Sequence, residues 1–237
     1  CRLARARTVV VPHADLDAID TALDCVTTDR ALVLTEGVYS MGGDVAPVGE
    51  LVEIAHRHGA LVVVDDAHGI GTVGPTGRSA TEGLSASQRP DVLLGTASKA
   101  LGVEGGFACV DETLATLMRN CARGYVFSSA PSPVVAAGVA AAVEYLRTDT
   151  RRVCSLQANV AQARLLLAEA DLIPPSAAHD RGPIIRIPVG PESRAVAAQE
   201  ELARRGLMVG AIRYPAVARG DAILRICLTA RHTDEHI

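Results

Sequence analysis

Lysine is almost absent from this 237-residue sequence: Lys99 stands alone against 22 arginines. Arginine can neither form an imine nor readily release a proton, and lysine does both, so a single lysine kept in an arginine-rich chain draws attention to its chemistry. A surface lysine surviving in an arginine-biased composition is the plain alternative. Long basic runs are also missing, and with a formal charge of −4 the chain has no electrostatic footprint for nucleic acid or an anionic membrane. No uninterrupted apolar run is long enough to span a bilayer, and no segment has the layout of a signal peptide. Six cysteines occur without CxxC or Cys/His metal spacing, which points to free thiols in a reducing compartment and no metal site. A cytoplasmic location is expected. Internal repeats and low-complexity segments are lacking as well. The sequence opens at Cys1 without an initiator methionine, and Thr233 to Ile237 reads as the first turn of an unfinished helix, so both ends look truncated.

Hydrophobic residues make up 49% of the chain and charged residues 21%, enough for a substantial core in a large domain with a smaller one beside it. Thr8–Val11, Ala31–Thr35, Leu61–Asp65 and Asp91–Gly95 are β-rich runs. Helix-period stretches run from Asp15 to Leu23 and from Val48 to about His58. Continuous apolar strands alternating with helices predict a mostly parallel α/β sheet covered on both faces. Pro133–Leu146 reads as a helix and Arg147–Thr150 as a hinge. Beyond it come a helix from Arg152 to about Glu169, a strand from Pro183 to Val189, a helix from Ser193 to Arg205, and strands near Leu207–Ile212 and Ile223–Leu228. The expected division is therefore 1–146, a large α/β domain, and 147–237, a small α+β domain.

In such sheets functional side chains stand just beyond the carboxyl ends of the strands. Glu36 and Ser40, Asp65 to His68, and Thr96 to Lys99 occupy those places. An acidic pair closing a buried strand calls for a cation opposite it, and a protonated pyridine nitrogen is one, which makes Asp65 a candidate partner for such a ring. His68 is placed to hydrogen-bond a ring oxygen or a reacting carbonyl. The competing reading has Asp65 and Asp66 capping the next helix and His68 packing in a loop. Around Lys99, small residues suit the close approach of a bulky ligand, and the hydroxyls of Thr96 and Ser98 suit a phosphate. His13 and His58 read as structural.

Taken together, Thr35–Met41, Gly43–Pro47, Val64–Gly69, Gly74–Arg78, Gly95–Ala100 and Gly105–Phe107 resemble, in order and spacing, the α-oxoamine synthases of the pyridoxal 5′-phosphate (PLP) enzymes. The nearest branches are the 8-amino-7-oxononanoate synthases and the serine palmitoyltransferases. The resemblance implies PLP fold type I, with Lys99 as the Schiff-base lysine and Asp65 as the partner of the ring nitrogen. It makes His68 the histidine near the ring oxygen, Ser40 a pocket serine and Thr96 a phosphate contact. Ser128 and Ser129 match a segment that reaches the phosphate of a neighbouring subunit, which implies a homodimer with shared active sites. Arg225, on Ile223–Leu228, matches the anchor for the substrate carboxylate, which suits a forked guanidinium; a surface or interdomain ion pair is its alternative. The implied reaction condenses an amino acid with an acyl-CoA or acyl-carrier thioester, with loss of CO2, to an α-amino ketone. L-alanine with a pimeloyl thioester, as in biotin biosynthesis, is the first expectation, and another amino acid or acyl donor the second. An aminotransferase and a non-catalytic supporting subunit are the more distant alternatives. Two departures stand out: the family's phosphate-binding turn and ring-stacking residue precede the position of Cys1, and Arg213–Val217 differs from the usual biotin-pathway sequence.

Overall fold

The computed structural model describes residues 2–28 and 30–237. Cys1 lies outside the described residues, and the other five cysteines are free and exposed. The chain first forms α1 (Leu16–Asp24), β1 (Leu32–Glu36), α2 (Val48–Arg57), β2 (Leu61–Asp65), β3 (Val92–Thr96) and β4 (Gly106–Cys109). Then follow α3 (Glu112–Cys121), α4 (Arg123–Val126), α5 (Pro133–Thr148), α6 (Arg151–Glu169), β5 (Ile184–Gly190), α7 (Glu192–Arg204), β6 (Gly210–Ile212) and β7 (Ala222–Cys227).

The first sheet has the order β1-β2-β3-β4, with β1, β2 and β3 parallel and β4 antiparallel at the edge. The helix starts follow from local chemistry. Asp15 accepts from the amide of Ala18 at 2.8 Å and Asp111 from that of Leu114 at 2.7 Å, while Ser132 caps α5 with Pro133 in the first turn. On α2, Val48, Leu51, Val52 and Ala55 fall on one stripe and are buried with Val62 and Val64 of β2, Ile19 and Leu23 of α1 completing that core.

The expectation of a sheet covered on both faces is met on one face only. Leu32, Leu34 and Leu61 point away from α1 and α2 and remain 62%, 52% and 41% exposed, because no described element packs over them. Thr8–Val11 is not a strand: Val9 and Val10 are 59% and 89% exposed, and without a neighbouring strand to bond them β-branched residues alone do not make one.

The second sheet has the order β5-β7-β6, antiparallel throughout, and its core joins Ile185 to Leu156, Val160 and Ala163 of α6. Under it lies Arg164, 1% exposed, whose guanidinium donates to the carbonyls of Ala177 (3.0 Å), Gly182 (3.1 Å) and Ile184 (2.8 Å). Its terminal nitrogens thus find acceptors while its buried Nε finds none among the described residues, and the three bonds pin the chain entering β5. That entry meets the first sheet backbone to backbone: Gly43, at φ +80°, sits on the carbonyl of Ile184, and Gly182 on the carbonyl of Gly43. A Cβ at either position would overlap a main-chain oxygen. Gly43→Ala combines that collision with a left-handed φ, so it is expected to cost about 1–3 kcal/mol or more in urea unfolding; an unchanged midpoint would show that this loop is not seated against β5.

Candidate functional site

Register places the polar strand ends side by side. Glu36, the last residue of β1, pairs with Asp65, the last of β2, and Asp65 pairs with Leu94, two residues before the end of β3, so the carboxyl ends of three parallel strands lie along one edge. The two aspartates then separate. Asp65 is exposed, with Oδ1 accepting from the amide of Ala67 at 3.0 Å. Asp66 is fully buried: Oδ2 accepts from the amide of Ala80 at 2.8 Å, and Oδ1 finds no partner among the described residues. Burial pushes the carboxyl of Asp66 above the ordinary carboxylate range. Gly37 and Gly69 crowd that carboxyl so closely that a Cβ on either would strike it. Turns, not a helix, occupy residues 67–72, so the capping alternative for this pair is set aside.

A cleft of about 200 Å3 lies over this edge, between the two sheets. His68 and Lys99 line it from the first sheet, and Arg225, Cys227, Pro183 and Ile184 from the side of the second. Lys99 is exposed, and its amine has no hydrogen-bond or ion-pair partner among the described residues. Thr96 and Ser98 bring their hydroxyls to 2.8 Å of each other, Thr96 Oγ1 also donating to the carbonyl of Gly105 at 3.2 Å. Arg225, at the middle of β7, donates from Nε to the carbonyl of Ser40 at 2.8 Å and from Nη1 to Cys227 Sγ at 2.9 Å. Ser40 donates from both its amide and its hydroxyl to Glu36 Oε2, at 2.9 and 3.1 Å.

Three of the nine sequence-predicted residues, His68, Lys99 and Arg225, thus line one cleft; Ser40 is bonded to Arg225, Thr96 and Ser98 precede Lys99 on its turn, and Asp65 ends the strand that leads to His68. Ser128 and Ser129 do none of this: they are exposed in the connection from α4 to α5 and make no hydrogen bond among the described residues. Sequence reasoning left Ile70, Thr72, Ile184 and Cys227 unassigned, though all line the cleft. Cys227 was within reach, since it stands two residues after Arg225 and strand side chains two apart share a face. His13 and His58 are structural as expected, bonded to Asp44 at 2.8 Å and to Asp20 at 2.6 Å.

The donor set fits a phosphorylated pyridine aldehyde. It offers a free primary amine, an exposed carboxylate beside it, paired hydroxyls on a turn, and a histidine that stays neutral. No three His, Cys, Asp or Glu side chains among the described residues form a metal cluster. Burial lowers the pKa of His68 most, the nearby Lys99 and Arg225 cations lower it further, and Glu36 and Asp65 oppose them. In the folded chain His68 therefore takes a proton at lower pH than in the unfolded chain, whose ordinary value is 6.5. Above that value both states are neutral and nothing is contributed. As pH falls below it the unfolded chain binds the proton first, and stability is lost. The urea midpoint of the parent is expected to drop more between pH 7.5 and 5.5 than that of His68→Gln; equal drops would show that His68 is not shielded.

Comparison with known proteins agrees with this geometry. The chain is 99% identical over 237 residues to the biotin biosynthesis bifunctional protein BioWF of Cutibacterium acnes, covering all of this chain and 36% of that protein. It is 42% identical to a putative 8-amino-7-oxononanoate synthase of Desulfovibrio desulfuricans, covering all of this chain and 61% of that protein. The chain thus spans only about a third to three-fifths of these relatives. Among solved structures, serine palmitoyltransferase from S. paucimobilis with PLP and myriocin bound superposes with a TM-score of 0.87 at 30% identity, over 94% of this chain and 56% of that one. An 8-amino-7-oxononanoate synthase from Francisella tularensis shares the fold, with a TM-score of 0.83 at 24% identity over 99% of this chain and 67% of that one. The profile of aminotransferase class I and II matches residues 1–237, and it is to this family, on sequence and on the arrangement of its strand-end residues alike, that the chain belongs.

Proposed function

We propose that this chain carries much of the active site of a PLP-dependent acyltransferase that condenses an amino acid with an acyl thioester. The observation that carries the reading is the gathering of a free lysine, a neutral histidine and a forked arginine around one cleft, with a carboxylate at the adjoining strand end. L-alanine and a pimeloyl thioester are the substrates proposed first, in keeping with relatives named for biotin biosynthesis and for 8-amino-7-oxononanoate synthesis. The reaction balances as amino acid plus acyl thioester giving α-amino ketone, CO2 and free thiol.

When bound, the cofactor supplies an electron sink for the charge left on the amino acid's Cα. Lys99 is the residue to bond its aldehyde, Thr96 and Ser98 the residues to donate to its phosphate, and Asp65 the carboxylate to keep its ring nitrogen protonated. Arg225 receives the substrate carboxylate with the guanidinium nitrogens not spent on Ser40. The Lys99 amine, when free, would take the Cα proton. His68, neutral at physiological pH, donates a hydrogen bond to the carbonyl oxygen of the thioester as carbon–carbon bond formation begins.

Three coarser assignments belong to the same reading. A homodimer with shared sites is supported by α3, α4 and α5, which bury none of their residues within this chain and leave Tyr125, Phe127 and Val134 66%, 78% and 81% exposed; Ser128 and Ser129 lie on that same stretch. The two-domain division at 146/147 is supported by the separate cores of the two sheets. A cytoplasmic location is proposed on the pathway of the relatives; no described helix is long and apolar enough to cross a membrane.

Mass spectrometry after PLP incubation and borohydride reduction is expected to place a pyridoxyl adduct on Lys99, and Lys99→Ala to abolish amino-acid-dependent thiol release. Adduct-free protein that still released thiol would overturn the reading. Arg225→Lys keeps the charge but loses the fork, so the amino-acid KM is expected to rise about tenfold or more, with the thioester KM unchanged.

A further inference from the structure

Arg225 belongs to the second sheet, and of the two groups that orient it one, Cys227, lies on its own strand and the other on the loop that follows β1 of the first sheet. Its Nε donates to the main-chain carbonyl of Ser40, 185 residues away in sequence, at 2.8 Å. That carbonyl is itself held in place. Ser40 donates twice to a single oxygen of Glu36, from the amide at 2.9 Å and from the hydroxyl at 3.1 Å, and Glu36 is the last residue of β1, its register fixed opposite Asp65. Three residues further on, Gly43 rests on the carbonyl of Ile184, which closes the loop from the other side.

We propose that Glu36 is a positioning residue for the substrate carboxylate, acting through Ser40 on Arg225. The inference rests on the reading that Arg225 binds that carboxylate. With Nε committed to Ser40 and one N–H of Nη1 to Cys227 Sγ on its own strand, the guanidinium is held from two sides, and its remaining N–H groups are left for the cleft that it shares with Lys99. Rotation about the end of an arginine is otherwise cheap, and a misdirected fork makes one hydrogen bond to a carboxylate where an aligned fork makes two. Glu36 does not touch the substrate in this scheme; it holds the residue whose carbonyl holds the arginine.

Charge must be separated from positioning, because Glu36 also contributes to the field at His68. Glu36→Gln removes the charge but keeps an acceptor oxygen for both Ser40 donors, whereas Glu36→Ala removes both. The expected result is an amino-acid KM raised about tenfold in Glu36→Ala, the loss of one of two hydrogen bonds to a charged group. In Glu36→Gln it should stay within about twofold, with the thioester KM unchanged in both. Equal rises in both variants, or no rise in Glu36→Ala, would overturn the proposal.

A second measurement needs neither cofactor nor turnover: the Nε–H resonance of Arg225, assigned by its loss in Arg225→Lys. Glu36→Gln should leave this resonance where it is, and Glu36→Ala should shift or broaden it and speed exchange of the Ser40 amide. An unmoved resonance in folded Glu36→Ala would overturn the proposal. If the resonance responds as expected while the parent releases no thiol, the positioning stands and the acyltransferase reading falls.

Discussion

Two carboxylates standing side by side at the ends of paired parallel strands set the terms for the rest of this structure. Glu36 and Asp65 are register partners, and in-register neighbours present their side chains on the same face. Like charges so placed repel, and the chain answers by bringing cations and donors to that edge. Ser40 gives two hydrogen bonds to Glu36, and Lys99 and Arg225 supply positive charge close enough to be felt at His68. Lys99 arrives on the turn after β3, and Arg225 on the middle strand of a different sheet. The docking of the second sheet thus brings one of the two cations that bear on His68.

The neutral state of His68 follows from the same arrangement. A histidine beside two carboxylates would ordinarily hold its proton more tightly; here burial and the two cations outweigh them, and the pKa falls. The buried Asp66, one residue from Asp65, shows the opposite outcome for a carboxyl shut away from water. Adjacent positions in one short motif therefore do different work, Asp65 exposed at the strand end and Asp66 filling the space between Gly37 and Gly69.

Much of this was legible in the sequence because the strands that matter are short apolar runs ending in polar residues. The run Leu61–Asp65 coincides with β2, and Ala31–Thr35 and Asp91–Gly95 each lie one residue before β1 and β3. What escaped had a physical cause in each case. Thr8–Val11 has the composition of a strand but no neighbour to pair with. β4, only Gly106–Cys109, is held by its antiparallel partner β3 more than by its own pattern. α3 buries no residue within this chain, so only its capping Asp111 marks its start. Lys99, Asp65 and His68 could be nominated from residue type and place at the strand ends, and Ser40 and Arg225 in their roles from the family resemblance. The bond from Arg225 to Ser40 could not, since it joins two sheets through a loop whose path depends on Gly43 and Gly182.

Arg225 takes its acceptor from the main chain, and every residue has a carbonyl. The contact with the arginine is therefore made by main chain, and the hydroxyl at position 40 bears on it only at one remove, as one of the two ties to Glu36. Drift at that position would keep the acceptor and the amide tie and lose the hydroxyl tie. Shape, more than residue identity, is what relatives would have to inherit here.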